Sequence, residues 1–261
     1  GIVIQEKYMS IINSFFIALS MYSRIPVPRV DWEKENMRYA MCFFPMIGVV
    51  IGAVMYLAGW LLDKTSVGGL FRGVVFTLIP IMITGGIHMD GFMDTMDALG
   101  SWGDREKKLE ILKDSHAGAF AILGMGCYLM WSMAVWSELP AEVLRVCGVS
   151  FVLSRALSGF SVVTFPAARN SGLLKMFQDG AQKKVVRITM CLYVAAAVIM
   201  MAVMNARAMT GAVTGVMIAF LYYIVVSRKQ FGGVTGDLAG FFLETAELAM
   251  FTGILVTCIG R

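Results

Sequence analysis

LFRGVVFTLIPIMITGGIHMDGFMDTMD, residues 70–97, passes from an apolar run into a segment that carries His88, Asp90, Asp94 and Asp97. Read as a helix at about 100° per residue, the aspartates at offsets of zero, four and seven fall within a sector of roughly 60°. One face of one helix, leaving a membrane span, then carries all three. Carboxylates that close repel one another, and desolvation beside a span makes ionisation costlier still, so something must compensate. A divalent cation is the simplest candidate. Hard oxygen ligands without a nearby cysteine favour Mg²⁺ or Mn²⁺ over zinc, and Mg²⁺ usually shares its coordination with substrate phosphates. The structural alternative is a solvated helix face whose acids pair with the lysines downstream. Ionisable residues next to a span are scarce and usually functional, which favours the first reading.

Outward from this stretch the chain remains apolar. It is 58% hydrophobic and 15% charged over 261 residues, with a mean hydropathy of +0.73, outside the range of soluble domains of this length. The expectation is a single all-α domain, 1–261: a polytopic integral membrane helical bundle of about seven transmembrane helices plus a short N-terminal apolar helix. Spans are predicted at 41–62, 70–87, 117–137, 143–165, 187–205, 209–226 and 240–259. Residues 8–22 form an apolar run of only 15, short of the roughly 20 needed to cross, so this segment is interfacial, re-entrant or a short tilted span. In the first predicted span, Gly48 and Gly52 make a GxxxG pair suited to close helix packing. The formal charge of +4 is too small and dispersed for nucleic acid binding. The five cysteines lie in apolar runs without CxxC spacing, which excludes a zinc site or disulfide framework.

Charge asymmetry gives an orientation. Connectors 24–38, 88–116, 166–187 and 227–239 fall on one side and hold fifteen Lys and Arg, against five on the other. The positive-inside rule makes the first side cytoplasmic, and the aspartate cluster with it. Three further segments carry polar groups. KDSHAG, 113–118, places Lys113, Asp114 and Ser115 just before a span whose free N-terminal N–H groups suit a phosphate. Arg155 lies inside the fourth span and requires a carboxylate partner or an anionic substrate. Beyond it, Arg169 in FPAARNSGLLKMF can fork two hydrogen bonds onto a phosphate, or act as a juxtamembrane anchor. FGGVTGDLAGFFLETAE, 231–247, joins a flexible glycine-rich turn to Asp237, Glu244 and Glu247, which share a helix sector of about 80°. Aspartates and basic residues at one membrane face fit metal-dependent transfer on a phosphorylated substrate. There is no Walker-type loop and no serine triad.

GGIHMDGFMDTMDALG, REKKLEILKDSHAG and GGVTGDLAGFFLETAE, together with SRIPVP, FFPMIG and the Arg155-to-AARNSGL segment, resemble the cobalamin synthase family, adenosylcobinamide-GDP ribazoletransferase, over nearly the whole chain. Ala98 stands where glycine is usual there, and His116 where arginine is common. The resemblance implies joining of adenosylcobinamide-GDP to α-ribazole, or its 5′-phosphate, with release of GMP and a requirement for Mg²⁺, late in cobalamin assembly. On that reading Asp90, Asp94 and Asp97 hold Mg²⁺ against the diphosphate, and Asp237 and Asp114 position a second metal or the ribazole hydroxyl. His88 completes the catalytic set. Lys113, Arg155 and Arg169 clamp phosphates, and Ser115, Thr235 and Glu244 belong to the substrate-binding set. The expected setting is a bacterial or archaeal cytoplasmic membrane, with the site facing the cytoplasm. Expected partners are the two substrates and the lipid bilayer, with a homo-oligomer or association with other cobalamin-assembly enzymes, and no nucleic acid. Alternatives are another Mg²⁺-dependent membrane phosphotransferase of the CDP-alcohol type, an aspartate-rich prenyltransferase acting on a diphosphate, or a transporter with Arg155, Glu244 and Glu247 along an ion path.

Overall fold

The structure, a computed structural model, describes residues 2–259. All of its regular elements are helical. Helix α1 (Ile2–Tyr22) and the short α2 (Lys34–Met37) precede α3 (Phe44–Leu62), which opens with Pro45 in its first turn, where the missing N–H costs nothing. Helices α4 (Gly69–Thr84) and α5 (Ile87–Gly100) follow, then α6 (Arg105–Ile111), α7 (Ala119–Glu138) and α8 (Leu144–Thr164). Helix α9 (Leu173–Gly180) leads into α10 (Lys183–Val226) and α11 (Gly236–Ile259). Among the described residues five helical stretches are long and apolar enough to cross a bilayer, and α4 with α5 makes a sixth if that bent pair is one span. The chain is a multi-pass membrane protein. The apolar part of α1, Met9–Tyr22, is shorter than a span.

One predicted span ends early, and two others are found as the arms of a single broken helix. The apolar run was expected to continue to residue 87, but it stops at Thr84, and α5 leaves at 98° to α4. Gly85 and Gly86 both take the left-handed conformation, at φ +67° and +79°, which only glycine adopts readily. The predicted segments 187–205 and 209–226 are the two arms of α10, which breaks at Asn205, an extended residue at φ −163° and ψ 100°. Its side-chain oxygen accepts from the Ala208 N–H at 2.9 Å and so caps the second arm. The arms run antiparallel. Arg187 donates to the Val163 carbonyl at 3.0 Å and Tyr223 meets Ser161 at 3.2 Å, both near the C-terminal end of α8, while Met204 lies beside Leu144 and Arg145 at the other end.

Close packing follows the small residues. Gly48 and Gly52 of α3 lie against the backbone of α8 at Phe151 and Gly148, and Gly211 and Gly215 of α10 lie against α11 at Gly253 and Ala249. In the middle of the bundle, Arg155 of α8 is 1% exposed and donates to Glu247 of α11 at 2.6 Å, and Ser154 donates to the same carboxylate oxygen at 2.9 Å. At one end the four basic connectors are tied together. The Gln182 N–H donates to the Arg38 carbonyl at 3.0 Å, the Ala168 N–H to the Val234 carbonyl at 2.9 Å, and the Lys108 ammonium to the Gln230 side chain at 2.6 Å.

Glu247→Ala leaves the Arg155 guanidinium buried without its counter-charge, so it is expected to destabilise the protein by about 3–5 kcal/mol, and Arg155→Met with Glu247→Met should recover most of that loss. Thermal unfolding of purified protein in detergent reads both. A single variant that melts with the wild type would show that the pair does not hold α8 to α11.

Candidate active site

Helix α5 lies across the first turns of α7 and α11. Its contact with α11 is backbone on backbone: a Cβ placed on Gly91 would sit 2.8 Å from the Asp237 carbonyl oxygen, and one on Gly240 would sit 2.9 Å from that of His88. The Phe92 ring stacks on Phe241 alongside, with centroids 5.5 Å apart. This approach sets Asp90 of α5 and Asp237 of α11 on one cavity of about 240 Å³. Thr235 caps α11, its hydroxyl accepting from the Leu238 N–H at 3.1 Å, and lines the same cavity. Arg169 reaches it because two backbone bonds of 2.9 Å, Ala168 N–H to Val234 and Val234 N–H to Pro166, pin its loop to the one before α11. One Arg169 nitrogen donates to the Leu109 carbonyl at 2.6 Å.

Asp94 lies one turn beyond Asp90 on the same helix, outside the cavity lining but within electrostatic reach of Asp90, Asp237, Asp97 and Asp114. The expected clustering of acids is therefore present as charge. It is not a preformed cage: among the described residues no three His, Cys, Asp or Glu side chains are arranged to hold a metal ion. Asp97 differs from the expectation. Both of its carboxylate oxygens accept backbone N–H groups of α7, from Gly118 and, at 2.7 Å, from Ala121. It occupies the helix N-terminus at which the sequence suggested a phosphate, and its negative charge suits that end.

Several other predicted residues stand apart from the cavity. Lys113, Asp114 and Ser115 are exposed on the loop before α7. Hydrogen bonds from the His116 ring and backbone, at 2.8 and 3.0 Å, hold the Asp114 carboxyl below its usual range. Arg155 is buried against Glu247, and Glu244 is buried near Tyr128, so neither reaches the cavity. His88 does reach it, 5% exposed, with its ring near those of Tyr22 and Phe44. The sequence reading missed the cavity's aromatic and sulfur lining, Tyr22, Met41, Phe44 and Phe177. The only sequence signal for it was that Tyr22 directly precedes SRIPVP and Phe44 lies in FFPMIG.

Four buried side-chain nitrogen or oxygen atoms lack a hydrogen-bond partner among the described residues, and two of them, His88 Nε2 and Arg169 Nε, belong to cavity-lining residues. Buried polar atoms are rarely left so unless a ligand or water completes them. An arginine and two carboxylates around such a cavity suit an anionic ligand brought in with a cation. The cobalamin-5-phosphate synthase family matches residues 14–255. The chain belongs to that family. The adenosylcobinamide-GDP ribazoletransferase of Lachnoclostridium phytofermentans is 43% identical over 249 residues, covering 95% of each chain. That of Clostridium perfringens strain 13 is 34% identical over 242 residues, covering 92% of this chain and 95% of the relative. That of Desulfitobacterium hafniense is 30% identical over 253 residues, covering 94% and 97%. No solved structure gives a significant match. In this member of the cobalamin-5-phosphate synthase family, the α5–α11 contact is what brings Asp90 and Asp237 together.

Gly91→Ala forces a methyl group onto the Asp237 backbone and is expected to cost about 1–3 kcal/mol of stability along with activity. Gly126→Ala, at a position with nothing within 4 Å of the added Cβ, is the control and should melt no lower than the wild type. Equal melting temperatures for the two variants would contradict the close contact.

Proposed function

We propose that this chain joins adenosylcobinamide-GDP to α-ribazole, or α-ribazole 5′-phosphate, giving adenosylcobalamin or its phosphate and releasing GMP. The observation that carries the reading is the pair of unpartnered buried nitrogens beside Asp90 and Asp237 in the cavity, in a chain of this family. The new bond joins the ribazole hydroxyl oxygen to the phosphorus attached to the corrinoid. The bond that breaks joins that phosphorus to the GMP oxygen, and the hydroxyl proton passes to a carboxylate. Asp237 is suited to accept it: it is half-buried, opens α11, and lies between the negative Asp90 and the positive Arg169. Arg169, with its Nε free, binds a diphosphate oxygen.

The donor set fits Mg²⁺ shared with substrate. Asp90, Asp94 and Asp237 offer hard oxygens from two helices, and Mg²⁺ commonly takes one or two carboxylates together with phosphates and water rather than a protein cage. When bound it neutralises the diphosphate and the leaving GMP. Asp97, with both oxygens engaged on α7, fixes α5 instead of binding the ion. The gathering of the basic connectors at the same end of the bundle supports placing this site at the cytoplasmic face of the cytoplasmic membrane.

Purified protein supplied with adenosylcobinamide-GDP, α-ribazole and Mg²⁺ should release GMP. Asp94→Asn should lower turnover by about 100-fold or more at saturating Mg²⁺, and near-normal turnover would sink its role. Arg169→Ala should raise the KM for adenosylcobinamide-GDP about tenfold, the scale of one charge-assisted hydrogen bond. An unchanged KM would assign Arg169 to loop anchoring through Leu109.

A further inference from the structure

Helix α6 cannot hold its own place. It is 7 residues long and none of them is fully buried, and a helix of two turns does not persist in water on its own propensity. Asp104 caps its first turn, accepting from the Lys107 N–H at 2.9 Å, and Leu109 and Ile111 are only half-buried. Its position therefore depends on what it touches. The Lys108 ammonium donates to Gln230 Oε1 at 2.6 Å, a bond that joins residues 122 apart in the chain. The Arg105 guanidinium lies against Gly232, where an added Cβ would sit 2.9 Å from one of its nitrogens. The Leu109 carbonyl accepts from Arg169 at 2.6 Å.

All three contacts lead to the walls of the cavity. Gln230 belongs to the π-helical turn Ser227–Phe231, which passes through Gly232 and Gly233 to the cavity-lining Val234, Thr235 and Asp237. Arg169 lines the cavity directly. Its guanidinium is planar and rigid, so the direction of one N–H fixes the directions of the others. The bond from one Arg169 nitrogen to Leu109 consequently decides where the unpartnered Nε points. Leu109 is next in the chain to Lys108, whose bond to Gln230 is charge-assisted, partly buried and stronger than a contact between neutral groups. Lys108 itself does not line the cavity.

We propose that Lys108 is a positioning residue for the diphosphate: its bond to Gln230 latches α6 to the turn before α11, and the latched helix aims Arg169 through the Leu109 carbonyl. This rests on the transferase reading above. Without the latch, α6 docks in only a fraction of molecules, and the apparent affinity for the diphosphate falls by that fraction. Bound substrate restores the docked arrangement. The loss therefore appears in binding and in KM, while kcat, read on saturated enzyme, stays nearly constant.

The test compares Lys108→Met and Gln230→Leu with the wild type in three measurements: hydrogen exchange, equilibrium binding of adenosylcobinamide-GDP with Mg²⁺ but no α-ribazole, and steady-state release of GMP. Exchange over residues 105–112 should quicken by about tenfold or more in both variants, with α8 unchanged. Binding should weaken about three- to tenfold, bounded by the loss expected for Arg169→Ala. The KM for adenosylcobinamide-GDP should rise by the same factor, and kcat and the KM for α-ribazole should stay within about twofold. Lys108→Arg, which keeps a charged donor, should bind nearly as the wild type does. In an Arg169→Ala background, Lys108→Met should weaken binding by less than about twofold further, because the group it aims is gone, whereas a general loss of packing would add in full. If one of the two variants does not fold, the other carries the comparison. Unchanged binding, or effects of Lys108→Met and Arg169→Ala that simply add, would overturn the latch. The binding arm needs no turnover. Absence of GMP release with binding that depends on both Lys108 and Arg169 would count against the transfer and not the latch. GMP release with binding indifferent to Lys108 would count against the latch alone.

Discussion

The backbone contact of α5 with α11 at Gly91 and Gly240 is the constraint on which the rest of the site depends. It brings Asp90 and Asp237 together, two like charges that would separate if the helices were free to move. Electrostatics opposes the arrangement and apolar packing imposes it. Met89 and Phe92 of α5, Tyr128 of α7 and Phe241 of α11 form one buried cluster beside the contact. Asp97 ties the far end of α5 to the first turn of α7. The repulsion is thus built into the fold before any ligand arrives. In the transfer proposed above, a cation carried with the phosphorylated substrate is what offsets this repulsion.

The Arg155–Glu247 pair serves the same arrangement from below. In a bilayer α8 and α11 gain little from apolar association, because lipid tails solvate leucine as well as a neighbouring helix does. A buried ion pair with Ser154 as an added donor gives the two helices one alignment, since each partner is costly without the other. With α11 fixed in rotation at Glu247, Asp237 three turns earlier on the same helix is fixed as well. The arginine that sequence alone left divided between substrate and carboxylate thus meets a carboxylate, and it reaches the chemistry only through the helix it holds.

Much of the fold was legible, because apolar length is a one-dimensional property. The positions of α3, α7, α8 and α11 and the glycine contact at Gly48 all follow from composition and local spacing. Asp90, Asp94 and Asp237 were legible as acids out of place beside apolar runs. Two kinds of feature were not. Asp97 has the same spacing as the other aspartates, and only the position of α7 shows that its oxygens are already taken. Tyr22, Met41, Phe44 and Phe177 are indistinguishable in sequence from core residues, and they become a lining only once α1, α3 and α9 converge.

The bend at Gly85 and Gly86 shows how little sequence separates a span from a site. Had α4 continued straight, Asp97 would stand about 20 Å beyond Thr84 at the helical rise of 1.5 Å per residue, projecting past α7 and α11 into solvent. Asp90 and Asp94 would keep their one-turn spacing but would face neither Asp237 nor a helix N-terminus. Two adjacent left-handed glycines turn the chain by 98° instead. The acidic helix then lies against the first turns of α7 and α11, whose N-terminal ends are positive. Asp90 is thereby held on the same cavity as Asp237 and Arg169. A β-branched or bulky residue at either glycine would strain the left-handed backbone, and straightening there would separate Asp90 from Asp237 without altering a single group in the cavity.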